Sequence, residues 1–205
     1  MEMSRSKKTK ESIKVLSEWQ WIYENFPRFD ALADVKCPTI TGSVIGYNIG
    51  HFKPSNYSEI YNKTVEEEAY SIYLLDESLI SFYYIFDSSG KIVGHNLMYI
   101  PSPIDERGMT GEEVAFSKFL RVDFDQKGYE SIVHTQVHLH VSIYKTDFRV
   151  PLGHYLSPKE FLYIVLKYIC HSNDPFVDKL LSSDKHDILL SEEESNKLRL
   201  LFGEQ

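Results

Sequence analysis

Apolar residues recur along this chain with two different periods, and the change from one to the other predicts the fold. From Ser12 to Phe26, the residues Ile13, Leu16, Trp19, Ile22 and Phe26 fall three or four positions apart. That is one stripe of a helix, which Pro27 ends. After Glu67 the period shortens. Ala69–Leu75, Leu79–Phe86 and Lys91–Ile100 are runs rich in Tyr, Ile and Phe, broken by Asp76-Glu77-Ser78 and by Asp87-Ser88-Ser89-Gly90. Short polar breaks between β-prone runs predict hairpins, and so an antiparallel meander. Pro101 and Pro103 close it. Leu120–Phe124 predicts a short strand and Ile132–Tyr144 a long one, with Gly128 at the turn between them.

The flanking segments read differently. Residues 28–64 hold Pro38, Gly42, Gly46, Gly50 and Pro54 and no sustained period, which predicts loops with one short strand at Ser43–Tyr47. Residues 104–116 predict a loop. Ser157-Pro158-Lys159-Glu160 predicts a helix start, with an N-cap, a first-turn proline and a capping box. Phe161, Ile164, Val165, Tyr168 and Ile169 supply its buried stripe. Asn173-Asp174-Pro175 predicts a second helix to about Leu181, and Ser191 with Glu194 a third. Helix, strands, then helices is an α+β layout: an antiparallel β-meander sheet packed against N- and C-terminal helices.

Composition adjusts this picture only slightly. The 205 residues suit one core, so residues 11–205 are expected as a single domain behind a flexible basic N-terminus, residues 1–10. That arm carries Arg5, Lys7, Lys8 and Lys10 against Glu2. The net charge of −8 argues against a surface given over to nucleic acid. Cys37 and Cys170 stand far apart, in no metal or redox spacing, and are expected as buried thiols. No run of about 18 apolar residues exists to span a membrane, and the N-terminus lacks the apolar core of a secretory signal, so a cytoplasmic protein is expected.

The chemistry concentrates in His134-Thr-Gln-Val-His138-Leu-His140. Residues two apart in a strand share a face, so His134, Gln136, His138, His140 and Ser142 point one way, while Val133, Val137, Leu139, Val141 and Ile143 point the other. On a rise of about 3.3 Å per residue, His138 and His140 stand roughly 6.6 Å apart at their bases, within joint reach of one metal or one phosphate. His134 lies about 13 Å from His138 and drops out. The imidazoles are expected to be exposed or to line a cleft, and they suit metal binding or acid/base work. A zinc ion would need further ligands, for which Asp123, His154 and His95 are available. Arg121 and Asp123 share a face of the preceding strand, and Arg149 lies just past the end of the His strand. Arginine beside histidine can form an anion cradle, although an Arg121–Asp123 structural pair explains the same residues. His140-Val-Ser142-Ile143 matches the core of two-histidine phosphoesterases, but the second copy they require is missing. Tyr83-Tyr84 could stack bases, or simply pack.

The order of these motifs resembles a bacterial domain family of unknown function. It runs from the Asp76-Glu77-Ser78 hairpin through Arg121-Val-Asp123, His138-Leu-His140 and Arg149-Val-Pro151 to Ser157-Pro158 with Phe161. The resemblance covers about Tyr70 to Ile169. More distantly, the hairpin, His-rich strand and closing helix look like the TumE-like toxins of toxin–antitoxin pairs. The resemblance implies toxin–antitoxin or phage-defence operons and a protein partner from the same operon. Residues 1–65 and 175–205, outside the match, would then be where that partner binds.

Two functions follow. The preferred one is a non-catalytic interaction subunit of such a complex, because the negative charge, the missing nucleophile and the incomplete ligand set all count against an enzyme. The alternative is a nuclease or phosphodiesterase acting on nucleic acid. In it His138 and His140 are general acid and base, Arg121 or Arg149 holds phosphate, and Asp123 orients an imidazole. No cofactor is required by this reading, and a divalent metal on the His pair is the single candidate.

Overall fold

The computed structural model of the chain describes residues 10–49, 56–103, 119–125, 136–141 and 149–181. Its centre is the predicted meander. Strands β4 (Ile72–Leu74), β5 (Leu79–Phe86), β6 (Ile92–Ile100), β7 (Leu120–Asp125), β8 (Val137–Val141) and β9 (Arg149–Pro151) pair antiparallel in chain order. β1 (Leu32–Val35) adds to β4, and the ribbon of β2 (Ile40–Thr41) and β3 (Val44–Gly46) pairs through β3 with the far end of β5. The acidic turns are structural, as their composition suggests. Asp76 Oδ1 accepts from the Ser78 N–H, and Asp87 Oδ1 accepts from the N–H groups of Ser89 and Lys91.

Helices cover both faces of the sheet, unequally. On one face α1 (Lys10–Asn25) and α3 (Pro158–Ile164) pack side by side. Val15, Trp19 and Ile22 of α1 and Phe161 and Leu162 of α3 bury against Phe82, Leu97, Val122 and Val137. α3 starts with the predicted capping box, formed by Ser157 and Glu160, and its last turn widens into a π-helical segment over Val165–Ile169. On the opposite face α2 (Tyr57–Glu66) caps only one end. Tyr57 and Tyr61 pack there with Leu79, Met98, Ile100 and Phe119. Strand alternation therefore gives β5 to β8 one apolar face under α1 and α3, and a second face that α2 covers only in part.

Several expectations for the flanks are corrected. The stretch 28–64 is more ordered than its glycines and prolines suggest. It contains β1, and α2 begins inside it at an Asn56 N-cap whose side chain accepts from the Glu59 N–H. Tyr57, Tyr61 and Thr64 are the buried stripe of that helix, a period masked by the polar residues around it. The second C-terminal helix is only a 3₁₀ turn over Val177–Leu180, since Phe176 and Asp174 fold back on Trp21 and Asp30 instead of continuing a helix. Arg149 does lie past the end of the His strand, where it opens the next strand, β9. Cys37 is exposed and Cys170 half-buried, so neither is the buried thiol expected. The basic N-terminal arm, His134, the loop over 104–116 and the helix from Ser191 lie outside the described residues. Among the described residues no helix is long and apolar enough to cross a membrane.

Candidate functional site

Register decides what the second face carries. Tyr83, Asn96, Asp123 and His138 are successive Cα partners across β5, β6, β7 and β8. The next same-facing row runs Ser81, Met98, Arg121 and His140, with Arg149 the Cα partner of His140. Two residues that are neighbours in one strand and two from the next thus meet as a block of four. The face opens beside them into a cleft of about 500 Å³, lined by Tyr83, Ile85, Gly94, Asn96 and Asp123 among others.

Asp123 is the hub of the block. Its Oδ2 lies 2.9 Å from Arg121 Nε, 3.2 Å from His140 Nε2 and 3.8 Å from His138 Nε2. Its other oxygen, Oδ1, accepts from Asn96 Nδ2 at 2.5 Å, which fixes the carboxylate plane and turns Oδ2 towards the histidines. Burial pushes the Asp123 carboxyl upward, but the hydrogen bond with His140 and the charges of Arg121, His140 and His138 outweigh it, so the net shift is downward. The group is an ionised carboxylate at neutral pH. The Arg121 Nε contact is an ion pair without hydrogen-bond alignment, while Arg121 Nη2 lies 3.1 Å from His140 Nε2. That imidazole nitrogen can accept from Arg121 or donate to Asp123, but it cannot do both.

Asp123, His138 and His140 each offer one donor atom, all within 4.8 Å of one another. Their side chains are sheltered, at 20%, 2% and 15% exposure, while Arg121 retains 35%. Of the residues expected to act together, His138, His140, Arg121 and Asp123 do converge. Arg149 is placed opposite His140 by backbone register alone. His138 lines the cleft, as one of the two expected placements has it, but is itself buried, ring to ring with His140 at 4.7 Å.

The two spare histidines do not join this site. His154 lies 3.7 Å from Glu160 at the start of α3. His95 falls on the apolar face, packed against Tyr84 and Phe124, where its Nε2 accepts from the Leu156 N–H at 3.3 Å. Burial lowers its pKa to about 4, against the weaker pull of Asp123. Asn96 is the residue that sequence reasoning missed. Alternation along Lys91–Ile100 places it on the same face as Met98, but only the β6–β7 register shows that it meets Asp123.

The family model described as an uncharacterized conserved protein, DUF2290, matches residues 24–202. The chain belongs to this family. The match takes in residues 24–65 and 175–202, so β1, α2 and the segment after α3 are part of the family's own unit, not additions to a core at 70–169. Every residue of the Asp123 cluster lies inside it. No curated protein and no solved structure matches the chain.

Proposed function

We propose that the protein is a phosphodiester hydrolase of nuclease type, working through a divalent metal ion held by Asp123, His138 and His140, with Arg121 as the phosphate anchor. The observation that carries this reading is that three donor atoms, one each from Asp123, His138 and His140, lie within 4.8 Å of one another. In a tetrahedral shell with ligand bonds of about 2.0–2.2 Å, neighbouring donors stand roughly 3.3–3.5 Å apart. The 3.2 and 3.8 Å separations from Asp123 Oδ2 bracket that value. A cation held there would also resolve the conflict at His140 Nε2, since His140 and Asp123 would then both act as lone-pair donors. Two imidazoles and a carboxylate suit zinc, manganese or ferrous iron.

The same geometry argues against His138 as a proton carrier. At 2% exposure its ring offers little surface for proton exchange with a substrate, yet it is well placed as a ligand. A bound ion would supply Lewis-acid polarisation of a phosphoryl oxygen. Asp123 and the two histidines hold position, and Asn96 keeps the carboxylate turned inward. Arg121, the most exposed of the four, swings from Asp123 to the substrate phosphate, for which a planar guanidinium is suited. A free toxin-like nuclease and the catalytic subunit of a toxin–antitoxin or defence complex would use the same four residues. The net charge of −8, the missing nucleophile and the incomplete ligand set favour a non-catalytic subunit. Three grouped donor atoms answer the last of these, and a metal-activated water would stand in for the nucleophile.

The test is hydrolysis of bis-p-nitrophenyl phosphate and of single-stranded RNA and DNA, with zinc, manganese or chelator, by the wild type and by Asp123→Asn and His140→Ala variants. Cleavage that needs metal and is lost in both folded variants is expected. No cleavage under any metal condition, or cleavage indifferent to both substitutions, removes the reading.

A further inference from the structure

The cleft beside the Asp123 cluster has two chemically different halves. One is the polar block just described. The other is formed by Tyr83, Ile85 and Val93, with Gly94 between them and Asn96, and it is bordered by Asp125, the register partner of Gly94. Tyr83 stands out. Its neighbour Tyr84 is fully buried on the opposite face, where its hydroxyl donates to the Leu156 carbonyl. Tyr61 and Tyr99 spend their hydroxyls on Glu77 and Ser78. Tyr83 is only half-buried, lines the cleft, and makes no hydrogen bond or ring contact with another described residue. An aromatic ring half-shielded in a cleft, without a partner among the described residues, has a face left to offer.

Its position sets what could use that face. Tyr83, Asn96 and Asp123 occupy one register row on adjacent strands, so Tyr83 and Asp123 are two strand spacings apart, roughly 10 Å. That is the span a nucleoside monophosphate bridges from base to phosphate. From this juxtaposition we infer that Tyr83 is a base-stacking platform, and that the cleft takes a nucleoside phosphate, base on Tyr83 and phosphate at Arg121 and the Asp123 cluster. The inference rests on the hydrolase reading for the phosphate end, and it adds the class of substrate. Stacking suits any base because each has a π-face, so the site reads nucleotides with little sequence preference. The acidic surface, net charge −8, favours one or a few nucleotides over a long duplex.

Calorimetric titration of the full chain with adenosine and uridine 5′-monophosphates, ribose 5-phosphate, inorganic phosphate and an RNA hexamer tests this. Stacking of one base corresponds to roughly 5–150-fold in affinity. Both nucleotides are expected to bind at least about tenfold more tightly than ribose 5-phosphate. Tyr83→Leu, which keeps apolar bulk without a π-face, should erase that preference, and Tyr83→Phe should keep it. A hexamer that binds more tightly than the monophosphates identifies nucleic acid as the source of the nucleotide, and equal binding identifies the free nucleotide. Equal affinity for nucleotide and ribose 5-phosphate, or a preference that survives Tyr83→Leu, overturns the inference. The two readings fail separately. A protein that binds nucleotides through Tyr83 but cleaves no phosphodiester loses only the hydrolase reading. One that cleaves bis-p-nitrophenyl phosphate but ignores the base loses only this one.

Discussion

Asp123 faces His138 directly across β7 and β8, yet its carboxylate leans to the diagonal neighbour, with Oδ2 3.2 Å from His140 Nε2 and 3.8 Å from His138 Nε2. Arg121, the direct partner of His140, draws it there. The guanidinium thus holds the charge position that the proposed ion would take, and ion and arginine compete for the same carboxylate.

That competition predicts opposite effects from one substitution. Arg121→Gln should bind zinc or manganese more tightly, by roughly tenfold, since even ~1.4 kcal/mol of relieved charge repulsion is that factor. The same variant should bind inorganic phosphate less well. Parallel titrations with metal and with phosphate check it. Weaker metal binding in Arg121→Gln would instead make Arg121 a support of the site.

Asn96 is a positioning residue, holding Asp123 through Oδ1 at 2.5 Å. Asn96→Ala should lower metal affinity about 10–100-fold, the usual effect of losing a partner behind a ligand. The thermal midpoint should change little, because Asn96 is only half-buried. Competition against a chelating dye reads the affinity, and an unchanged value would remove Asn96 from the site.

The uneven legibility of the fold has physical causes. The meander could be read because the runs from Ala69 to Ile100 are rich in Tyr, Ile and Phe and are separated by polar breaks. α3 could be read because Ser157, Pro158 and Glu160 are local signals. α2 was missed because Tyr57, Tyr61 and Thr64 make a stripe of only three buried residues among polar ones. The site divides the same way. His138 with His140, and Arg121 with Asp123, are pairs within single strands and follow from period two. Their meeting, and the joining of Asn96 and Tyr83, depend on register across four strands, which no local pattern encodes.

Gly46 tests the packing behind β3. Its φ of +98° and its approach to β5 leave no room for a side chain, since a Cβ there would meet the Phe82 carbonyl oxygen at 1.9 Å. Gly46→Ala should destabilise the protein by more than about 1 kcal/mol, lowering the melting temperature by at least ~2–4 °C. Calorimetry decides it, and an unchanged midpoint would contradict this geometry.

His95 predicts a pH dependence of stability set mainly by its own burial, with Asp123 pulling the other way. Unfolded, the imidazole takes up its proton near 6.5, whereas the folded protein holds that step down to about 4. The unfolded state therefore binds more protons between these values, and stability falls as pH drops through that window. The loss from this group is about 3 kcal/mol and levels off below pH 4. His95→Gln retains an acceptor for the Leu156 N–H and should flatten that part of the profile. Urea midpoints of both proteins from pH 7 to 4 measure the difference, and parallel profiles would contradict it.

The central claim is that Asp123, His138 and His140 form one metal centre. Titrating metal-free protein with zinc by calorimetry, alongside Asp123→Asn, His138→Ala and His140→Ala, tests it most directly. One ion per chain is predicted for the wild type, with affinity reduced more than about 100-fold in each folded variant. A wild type that binds no zinc or manganese, or binding that persists in all three variants, would contradict the account.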